Sequence, residues 1–292
     1  MEIKSLRYFL TAAREENMTR AASILHISQP TLSKTIKALE EELGKQLFIR
    51  HSFHIELTEE GMLLRKRAED LVDLADKIEN EFTALDILDG GDLYFGLAES
   101  YQIRYLARQI KLFKNMYPNL RFHITSGDSE QVIEKLNSGI LDFAVLVEKP
   151  DSAIYDFMEL PVKDSWVLVM PADAPLSDKE YIEPKDLVGL PLFCSEQSWQ
   201  NDIPSWAGIY FESYKLEGSF RLSYNGGIFA MEGLGYLLTF DKLINTDSGL
   251  LTSRPLYPTL ENKMFLVWKK YQIFSPIASR FKEHMEKALH QG

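Results

Sequence analysis

The chain has 292 residues, with 32 Lys and Arg against 43 Asp and Glu, a formal net charge of −11 and one cysteine. Hydrophobic residues make up 45% and charged residues 26%, which is typical of a globular protein of about two domains and excludes a disordered or collagen-like chain. One cysteine excludes a disulfide framework and a multi-cysteine metal site. No uncharged apolar run approaches the roughly 18 residues of a membrane helix, and the charged start predicts no signal peptide. We therefore expect a soluble, cytoplasmic protein with no membrane partner.

Charge is unevenly distributed along the chain. Residues 1–58 are close to neutral, so the acidic excess lies in the remainder. Within 17–39 there are three basic residues, Arg20, Lys34 and Lys37, and no acidic residue. An acidic protein can thus still present a locally basic surface to nucleic acid.

The first 58 residues have the spacing of a helix-turn-helix. After a first amphipathic helix, Thr19 is expected to cap a short second helix at 20–25. Ser28 and Pro30 are a cap residue and a first-turn proline, and they predict a third helix that ends at Gly44. Two short extended pieces follow. A helix that carries small polar and basic groups at its N-terminal turns suits the major groove of DNA.

One long helix is predicted over about 59–86. Apolar residues recur along it at alternating steps of four and three, and they are Leu64, Ala68, Leu71, Ala75, Ile78, Phe82 and Leu85. This spacing is typical of a coiled-coil seam that pairs two chains, although an amphipathic helix packed on its own domain is the alternative. The Asp-Gly-Gly-Asp stretch at 89–92 is expected to end the helix and form a hinge.

From residue 92 onward, strands and helices alternate, which predicts an α/β region with mostly parallel sheets. Strands are expected at 92–98, 121–125, 141–147, 156–162, 165–170, 190–195, 219–223, 235–240 and 263–268. Helices are expected at 103–117, 129–138, about 201–216, 226–233 and 276–290.

A dense set of residues within the first 61 recurs at the spacing of one regulator family. They are Leu6, Phe9, Ala21, Ala22, Leu25, Ser28, Gln29, Pro30, Ser33, Ile36, Leu39, Glu40, Leu43, Gly44, Leu47, Phe48, Arg50, Leu57, Thr58 and Gly61. On these residues the sequence resembles the LysR-type transcriptional regulators. The acidic remainder resembles the effector-binding region of that family through weaker motifs.

The resemblance implies a sequence-specific DNA-binding transcriptional regulator that responds to a small-molecule effector and is not an enzyme. Its implied partners are double-stranded DNA, further copies of itself as a dimer and a tetramer, the effector and RNA polymerase. The implied fold class is an N-terminal winged helix-turn-helix (mainly α), a long linker helix, and an α/β two-lobed effector domain like a periplasmic binding protein.

Domain boundaries follow from the resemblance. They are 1–58 for DNA binding, 59–88 for the linker and dimerisation helix, and 89–292 for effector binding. Lobe I would comprise about 91–162 and 267–292, and lobe II about 163–266.

In the family, the third helix reads DNA and a hairpin wing touches the flanking backbone. Carried over by position, the expected DNA-binding residues are Arg20, Ser28, Gln29, Pro30, Thr31, Ser33, Lys34, Lys37 and Arg50. The expected base-facing set is Gln29, Pro30, Ser33 and Lys34, and the expected phosphate contacts are Arg20, Thr31 and Lys37. The alternative for the hydroxyl residues is helix capping and surface exposure. The wing departs from the family pattern, since Phe53 and Glu56 stand where basic residues are usual.

Four loops that follow strands carry hydroxyl or amide groups. The effector-binding residues expected from them are Ser100, Tyr101, Ser126, Gly127, Gln197, Ser198 and Asn225. In a two-lobed domain such loops face each other across a cleft, where helix N-termini favour a polar or anionic head group. Ordinary helix capping is the alternative.

The sequence predicts no catalytic residues, no metal site and no cofactor. His51 and His54 have an H-x-x-H spacing without further ligands nearby in sequence, so we interpret them as polar groups on the wing surface. Cys194 cannot form a disulfide within the chain, and it is either a reactive thiol or a small buried hydrophobe. Two other function classes stay open: a solute-binding protein or α/β enzyme with an incidental N-terminal domain, and a regulator that has lost its ligand response.

Overall fold

The computed structural model describes residues 1–84 and 89–290, and the chain forms two compact units. The first unit contains α1 (Ile3–Glu15), α2 (Met18–Ile24), α3 (Gln29–Leu43), β1 (Phe48–Arg50), β2 (Ile55–Leu57) and α4 (Glu59–Ala84). The expected helix end at 86, the seam residue Leu85 and the linker boundary at 88 lie outside the described residues.

Helix α2 begins earlier than expected. Its N-cap is Asn17, whose Oδ1 accepts hydrogen bonds from the backbone N–H groups of Thr19 (3.0 Å) and Arg20 (2.9 Å). Thr19, the expected cap, instead lies in the first turn. The asparagine amide reaches two of the free N–H groups at the helix start, and this capping fixes the boundary.

The limits of α3 agree with the sequence prediction. Ser28 is the N-cap and its Oγ accepts from Thr31 N at 3.3 Å. Gly44 ends the helix with φ +67°, a left-handed conformation that costs glycine little.

The core of the first unit is formed by α1, α2, α3, the hairpin β1–β2 and the first half of α4. Leu6, Phe9, Leu32 and Ile36 are fully buried. Ala68 of α4 is also fully buried in the same cluster. Burial of this apolar surface is what holds α3 at a fixed angle on the domain.

The second unit is α/β. Its strands are β3 (Gly90–Leu97), β4 (Asn119–Ser126), β5 (Phe143–Leu146), β6 (Tyr155–Pro171), β7 (Pro191–Ser195), β8 (Lys215–Phe220), β9 (Tyr236–Phe240), β10 (Leu251–Pro255) and β11 (Glu261–Lys269). Its α-helices are α5 (Ile103–Met116), α6 (Ser129–Asn137), α7 (Glu196–Ala207), α8 (Ser223–Met231) and α9 (Pro276–His290). Two 3-10 helices cover Pro184–Leu187 and Gly208–Ser213.

The strands form one mixed sheet in the order β4-β3-β5-β11-β6-β9-β7-β8, with β10 paired to β6. β3 runs parallel to β4 and β5, and β7 runs parallel to β8 and β9. The other ladders, which all involve β6 or β11, are antiparallel. The expectation of mostly parallel sheets is therefore wrong, because the chain leaves one lobe on β6 and returns beside it on β11 in the opposite direction.

Three further expectations for this unit are wrong. The two strands expected at 156–162 and 165–170 are one strand, β6, because β11 pairs with it over residues 155–159 and again over residues 163–165. β8 begins four residues before the expected 219–223 and ends at Phe220, so the two overlap by two residues. β10 has no counterpart among the expected strands. Local apolar patterning does not report such long-range pairing.

The hinge expected at 89–92 is also wrong, since β3 already includes Gly90 and Gly91. A Cβ at Gly90 would lie 2.6 Å from the backbone oxygen of Asn119 on β4. The glycine thus serves the close approach of two strands rather than a bend.

Among the described residues, no helix is long and apolar enough to span a membrane.

Candidate functional site

Helix α3 presents the N-terminal part of one face to solvent. Leu32 and Ile36 are buried, whereas Gln29, Pro30 and Lys34 are exposed. Within the described part of the chain, the side chains of Gln29 and Lys34 have no hydrogen-bond or ion-pair partner. The Gln29 amide and the Lys34 ammonium are therefore accessible for hydrogen bonds to another molecule.

Two other predicted DNA-binding cations are paired within the chain. Arg20 Nε lies 2.6 Å from Glu15 Oε2, and Lys37 Nζ lies 3.6 Å from Glu41 Oε1. All four side chains except that of Glu15 are well exposed. Exposed pairs of this kind are weak, so either cation can exchange its carboxylate for a phosphate.

The hydroxyl groups of α3 split into two sets. Ser28 Oγ lies 2.8 Å from Thr31 Oγ1 at the helix start, in keeping with a capping role. Ser33 Oγ accepts a hydrogen bond from Arg50 Nη1 at 3.1 Å. Arg50 also lies 3.9 Å from Glu40. The structure thus brings Ser33 and Arg50 together, and Arg50 ties β1 to α3.

The turn at residues 51–54 between β1 and β2 forms the wing. The Phe53 side chain is 90% exposed, and its carbonyl accepts from Asn17 Nδ2 at 3.1 Å. Ile55 N donates to Glu16 O at 2.9 Å. Residues 51–64 contain no Lys or Arg. The wing is therefore anchored on the α1–α2 corner but carries little positive charge of its own.

The apolar seam of α4 divides into two parts. Leu64 and Ala68 pack into the first unit's core, where Val72 joins them. Further along, Leu71, Ile78 and Phe82 are exposed, and Ala75 is half-buried. Packing on the helix's own domain accounts for the first part, and the second part is left as an apolar stripe.

A cleft of about 740 Å³ lies in the second unit at the carboxyl ends of its parallel strands. One wall is built by loops after β3, β4 and β5, and includes Glu99, Asp128 and Glu148. The opposite wall is built by loops after β7 and β8, and includes Gln197 and Arg221. Parallel strands bring such loops to one edge of the sheet, where ligands commonly bind.

The predicted effector residues divide between the cleft and the rest of the unit. Gly127, Gln197 and Ser198 line the cleft, whereas Ser100, Tyr101, Ser126 and Asn225 do not.

The direction of the Ser100 side chain explains one difference. Ser100 Oγ donates to Asp164 Oδ2 at 2.6 Å, and it accepts from Gln102 N at 2.9 Å. The Tyr101 ring is instead flanked by the cations of Arg104 and Lys242, at 5.2 and 5.4 Å from its centroid. Glu99, one residue earlier, is the side chain that reaches the cleft.

Side chains of the two walls bind each other across the cleft. Glu99 accepts a hydrogen bond from the backbone N–H of Ser223, at the start of α8. Gln197 Nε2 donates to Ser129 Oγ at 3.0 Å and also to Glu148. These contacts link the two lobes across the cleft.

A third contact across the cleft is ionic. Arg221 lies 3.4 Å from Asp128, whose other oxygen accepts from Gln131 N in the first turn of α6. Asp128 and Glu99 thus both place a carboxylate on a helix N-terminus, where it is favoured. The sequence analysis did not single out Glu99, Asp128, Glu148 or Arg221. The signal available was that each lies within two residues of the end of a strand.

Burial shifts two titratable groups in this unit. Asp164, on β6 at the lobe boundary, is 2% exposed, and burial raises its pKa to about 6. Cys194 is fully buried, and burial raises the pKa of its thiol well above the usual value. A buried thiol of this kind is unreactive, so the interpretation as a small hydrophobe fits the structure.

A winged helix-turn-helix joined to an α/β unit with a ligand-sized cleft defines a class of DNA-binding regulators. The model described as "Bacterial regulatory helix-turn-helix protein, lysR family" matches residues 3–62, and "LysR substrate binding domain" matches residues 88–290. The chain belongs to the LysR family and is a DNA-binding transcriptional regulator with a substrate-binding domain. The family, fold class and function expected from the sequence are confirmed.

Similar proteins include the transcriptional regulator YybE of Bacillus subtilis, 28% identical over 98% of each chain. The Hca operon transcriptional activator HcaR of Escherichia coli is 25% identical over 92% of each chain. A hydrogen peroxide-inducible genes activator of Pectobacterium carotovorum is 30% identical over 67% of this chain and 65% of its own length.

The fold is also that of solved regulators. The crystal structure of CbnR, a LysR family transcriptional regulator, covers 99% of both chains with a TM-score of 0.79 at 20% identity. The structure of full-length CbnR complexed with its target DNA gives a TM-score of 0.78, covering 99% of this chain and 100% of CbnR.

Proposed function

We propose that α3 reads base edges in the major groove through Gln29, Pro30 and Lys34. The observation that carries this assignment is the exposure of Gln29 and Lys34 beside a buried apolar face, without partners in the described chain. A glutamine can pair with adenine and a lysine with guanine, so these groups supply sequence information. Ser33 and Arg50 act as a pair that fixes the wing to the reading helix, and Ser28 acts as the cap.

Arg20, Thr31 and Lys37 contact phosphates in this proposal. Their weak or local internal partners can be exchanged for phosphate oxygens, which position the protein without specifying sequence. The regulator works in the cytoplasm, where its DNA is.

The experiment is a mobility-shift titration on DNA upstream of the regulator's own gene, with random DNA as competitor. Lys34→Ala is compared with Lys45→Ala, a matched exposed lysine that pairs with Glu60 at 3.4 Å outside the reading face. Lys34→Ala should lose most of the preference for the upstream fragment, and Lys45→Ala should retain it. Equal preference in the two variants would reject the assignment of Lys34.

We further propose that two chains pair through the exposed stripe of α4, Leu71, Ala75, Ile78 and Phe82. A 3-4 repeat of apolar residues that the first unit leaves exposed is suited to a second copy of itself. Pairing would align two reading helices with two half-sites. We propose in addition that two such dimers form a tetramer and that the regulator contacts RNA polymerase.

For the effector domain, we propose that the effector is a small polar molecule, neutral or positively charged, held in the cleft. Carboxylates of the chain already occupy the N-termini of α6 and α8, through Asp128 and Glu99. An anionic ligand would have to displace them against the charge of Glu148. An amine or an uncharged polar group can instead bind the carboxylates directly.

Calorimetry of the full chain with putrescine, a diamine, and succinate, a dicarboxylate, tests the charge class of the effector. Binding of the amine but not of the dicarboxylate supports the proposal, and the opposite preference contradicts it. Glu148→Gln, which removes a cleft carboxylate, should weaken binding of the amine, whereas Glu217→Gln, which changes a carboxylate paired with Lys215 away from the cleft, should not.

Peroxide sensing, which the name of the Pectobacterium relative describes for that protein, does not extend to this chain in our proposal. A disulfide switch needs a second thiol, and Cys194 is the single cysteine and is buried. A small-molecule ligand in the cleft is therefore the signal we propose.

A further inference from the structure

The wing tip brings together the side chains of His51, His54 and Glu56, which are not adjacent in the sequence. The antiparallel ladder pairs Arg50 with Ile55, and beyond it His51 N donates to His54 O at 2.9 Å. His51 and His54 are thus cross-strand neighbours. Because alternate residues of a strand share a face, Glu56 lies on the same side as His54. The hairpin backbone itself collects two imidazoles and a carboxylate on one face.

The distances between these groups are short. The two imidazole rings stack with centroids 4.4 Å apart and an angle of 13° between their planes. His54 Nε2 lies 2.8 Å from Glu56 Oε1, and His51 Nε2 lies 3.7 Å from Glu56 Oε2. One potential ligand atom from each residue lies within 4.8 Å of the others, and all three residues are exposed.

We propose that His51, His54 and Glu56 bind one divalent transition-metal ion at the tip of the wing. Two imidazole nitrogens and one carboxylate oxygen are a donor set that suits Zn²⁺, Ni²⁺ or Cu²⁺ rather than Mg²⁺ or Ca²⁺, which prefer more oxygen ligands. Bond lengths of about 2.0–2.2 Å require ligand atoms about 3.3 Å apart. Small rotations of exposed side chains achieve this without moving the hairpin backbone.

Three protein ligands leave coordination positions open toward solvent. Such positions hold water or take an oxygen ligand from outside the protein. A phosphate oxygen of DNA is a ligand of this kind, and the proposed DNA-binding function brings phosphates to the neighbourhood of the wing.

The metal would also reverse the charge of the wing tip. Residues 51–57 contain one acidic residue, Glu56, and no Lys or Arg, and the next helix, α4, begins with Glu59 and Glu60. Such a surface is repelled by DNA, whose affinity for proteins depends on neutralised phosphates. A bound dication turns the charge of the His-His-Glu cluster from −1 to +1. Metal occupancy thereby tightens DNA binding through the wing, and this second step rests on the proposed function.

The first experiment measures metal binding alone. Full-length protein stripped with EDTA and dialysed is titrated with Zn²⁺ and, separately, with Mg²⁺ in a calorimeter, without DNA. The variants are His54→Gln and Glu56→Gln. The matched control is His26→Asn, which removes another exposed histidine of the same unit at φ +54°, a conformation that asparagine tolerates.

Wild type and His26→Asn should each bind one Zn²⁺ with the same affinity. His54→Gln and Glu56→Gln should bind Zn²⁺ at least tenfold more weakly, and Mg²⁺ should not compete with Zn²⁺ in the wild type. Co²⁺ should give a visible absorption band in the wild type that His54→Gln loses. Unchanged Zn²⁺ affinity in both cluster variants, or no Zn²⁺ binding by the wild type, would overturn the site.

The second experiment repeats the mobility shift with and without Zn²⁺ for wild type and His54→Gln. Zn²⁺ should tighten binding of the wild type several-fold and leave the variant unchanged. Metal binding without any effect on DNA affinity would overturn the coupling but not the site. If the wild type bound no DNA specifically, with or without Zn²⁺, the proposed function would be contradicted. The calorimetric result would still decide whether the metal site exists.

Discussion

Lys34 and Lys37 lie one turn apart on α3, yet they differ in what surrounds them. Lys37 has Glu41 at 3.6 Å, whereas Lys34 has no ion-pair partner among the described residues. Gln29, at the first helical position, is likewise without a partner in the described chain. The distinction separates groups suited to reading bases from groups suited to neutralising phosphates, and it leads to different expectations for each.

Gln29→Ala should cost about 1–3 kcal/mol at the preferred site and relax specificity there, because it removes a base-edge contact. Lys37→Ala should instead weaken specific and random DNA alike and flatten the salt dependence, because it removes a phosphate contact. Fluorescence anisotropy with both DNAs at several salt concentrations measures these effects. Indistinguishable results for the two variants would refute the division of roles.

Asp164 shows at the scale of one residue how burial couples folding to pH. Its pKa is raised from 3.8 to about 6 by burial. The folded protein therefore holds this proton more tightly than the unfolded chain, and the stabilisation is fully present below pH 4 and lost as pH rises through 6. The difference corresponds to at most about 3 kcal/mol.

Asp164→Asn should accordingly be more stable than wild type at pH 7.5, and the gain should shrink as the pH falls and vanish below about pH 4. The amide oxygen can still accept from Ser100, so the hydrogen bond survives. Urea unfolding across this pH range measures the effect, and Asp156→Asn, an exposed carboxylate on the same strand, is the control. A gain that did not depend on pH would argue against a buried, charged Asp164.

At the scale of the element, the limits of α3 depend on local interactions and were predicted correctly, whereas two strands that depend on pairing between distant segments were not. Ser28 and Gly44 fix α3 by local capping, and both were predicted. β10 and the continuity of β6 depend on pairing between distant segments, so local patterns missed them. In the loop after β3, the Ser100 side chain turns toward Asp164 and the Glu99 side chain turns toward the cleft. The directions of side chains in a loop depend on tertiary contacts, so sequence patterns did not predict them.

Within the apolar seam of α4, the sequence pattern also did not show which residues pack on their own unit and which stay exposed. Ala68 is buried in its own unit, while Ile78 is 47% exposed. Ile78→Glu should lower the mass of the assembly in light scattering without loss of helix content, since the charge would face only the partner chain. Met62→Glu, on the outer side of the same helix, should leave the mass unchanged. Ala68→Glu should unfold the first unit, and an unaltered mass in Ile78→Glu would reject the seam.

At the scale of the whole molecule, the protein has a net negative charge yet binds DNA, because its acidic excess and the basic groups of the reading helix lie in different parts of the chain. The reading helix presents unpaired polar and basic groups, and much of the acidic excess lies in the other unit, some of it around the cleft. Glu99 is central there because its carboxylate occupies the N-terminus of α8. The preference of the regulator for an effector should therefore depend on this one carboxylate.

Glu99→Ser should free the N-terminus of α8 and leave a site suited to an anion. Succinate should then raise the melting temperature of the variant but not that of the wild type. Glu217→Ser, which removes a carboxylate paired with Lys215 away from the cleft, is the control. A variant that succinate does not stabilise would show that Glu99 does not set the charge of the ligand.

The two strands that connect the lobes are hydrogen-bonded to each other on both sides of the crossing, with an irregularity between Lys263 and Phe265. A paired ribbon of this kind resists stretching and sliding, because either would break its ladder, but it bends across its flat face, most easily at a bulge. We therefore expect any relative motion of the two lobes to be a bend about a single axis. Effectors of different shape would then change how far the lobes move but not the direction, so the signal to the DNA-binding unit would vary in amplitude along one fixed path.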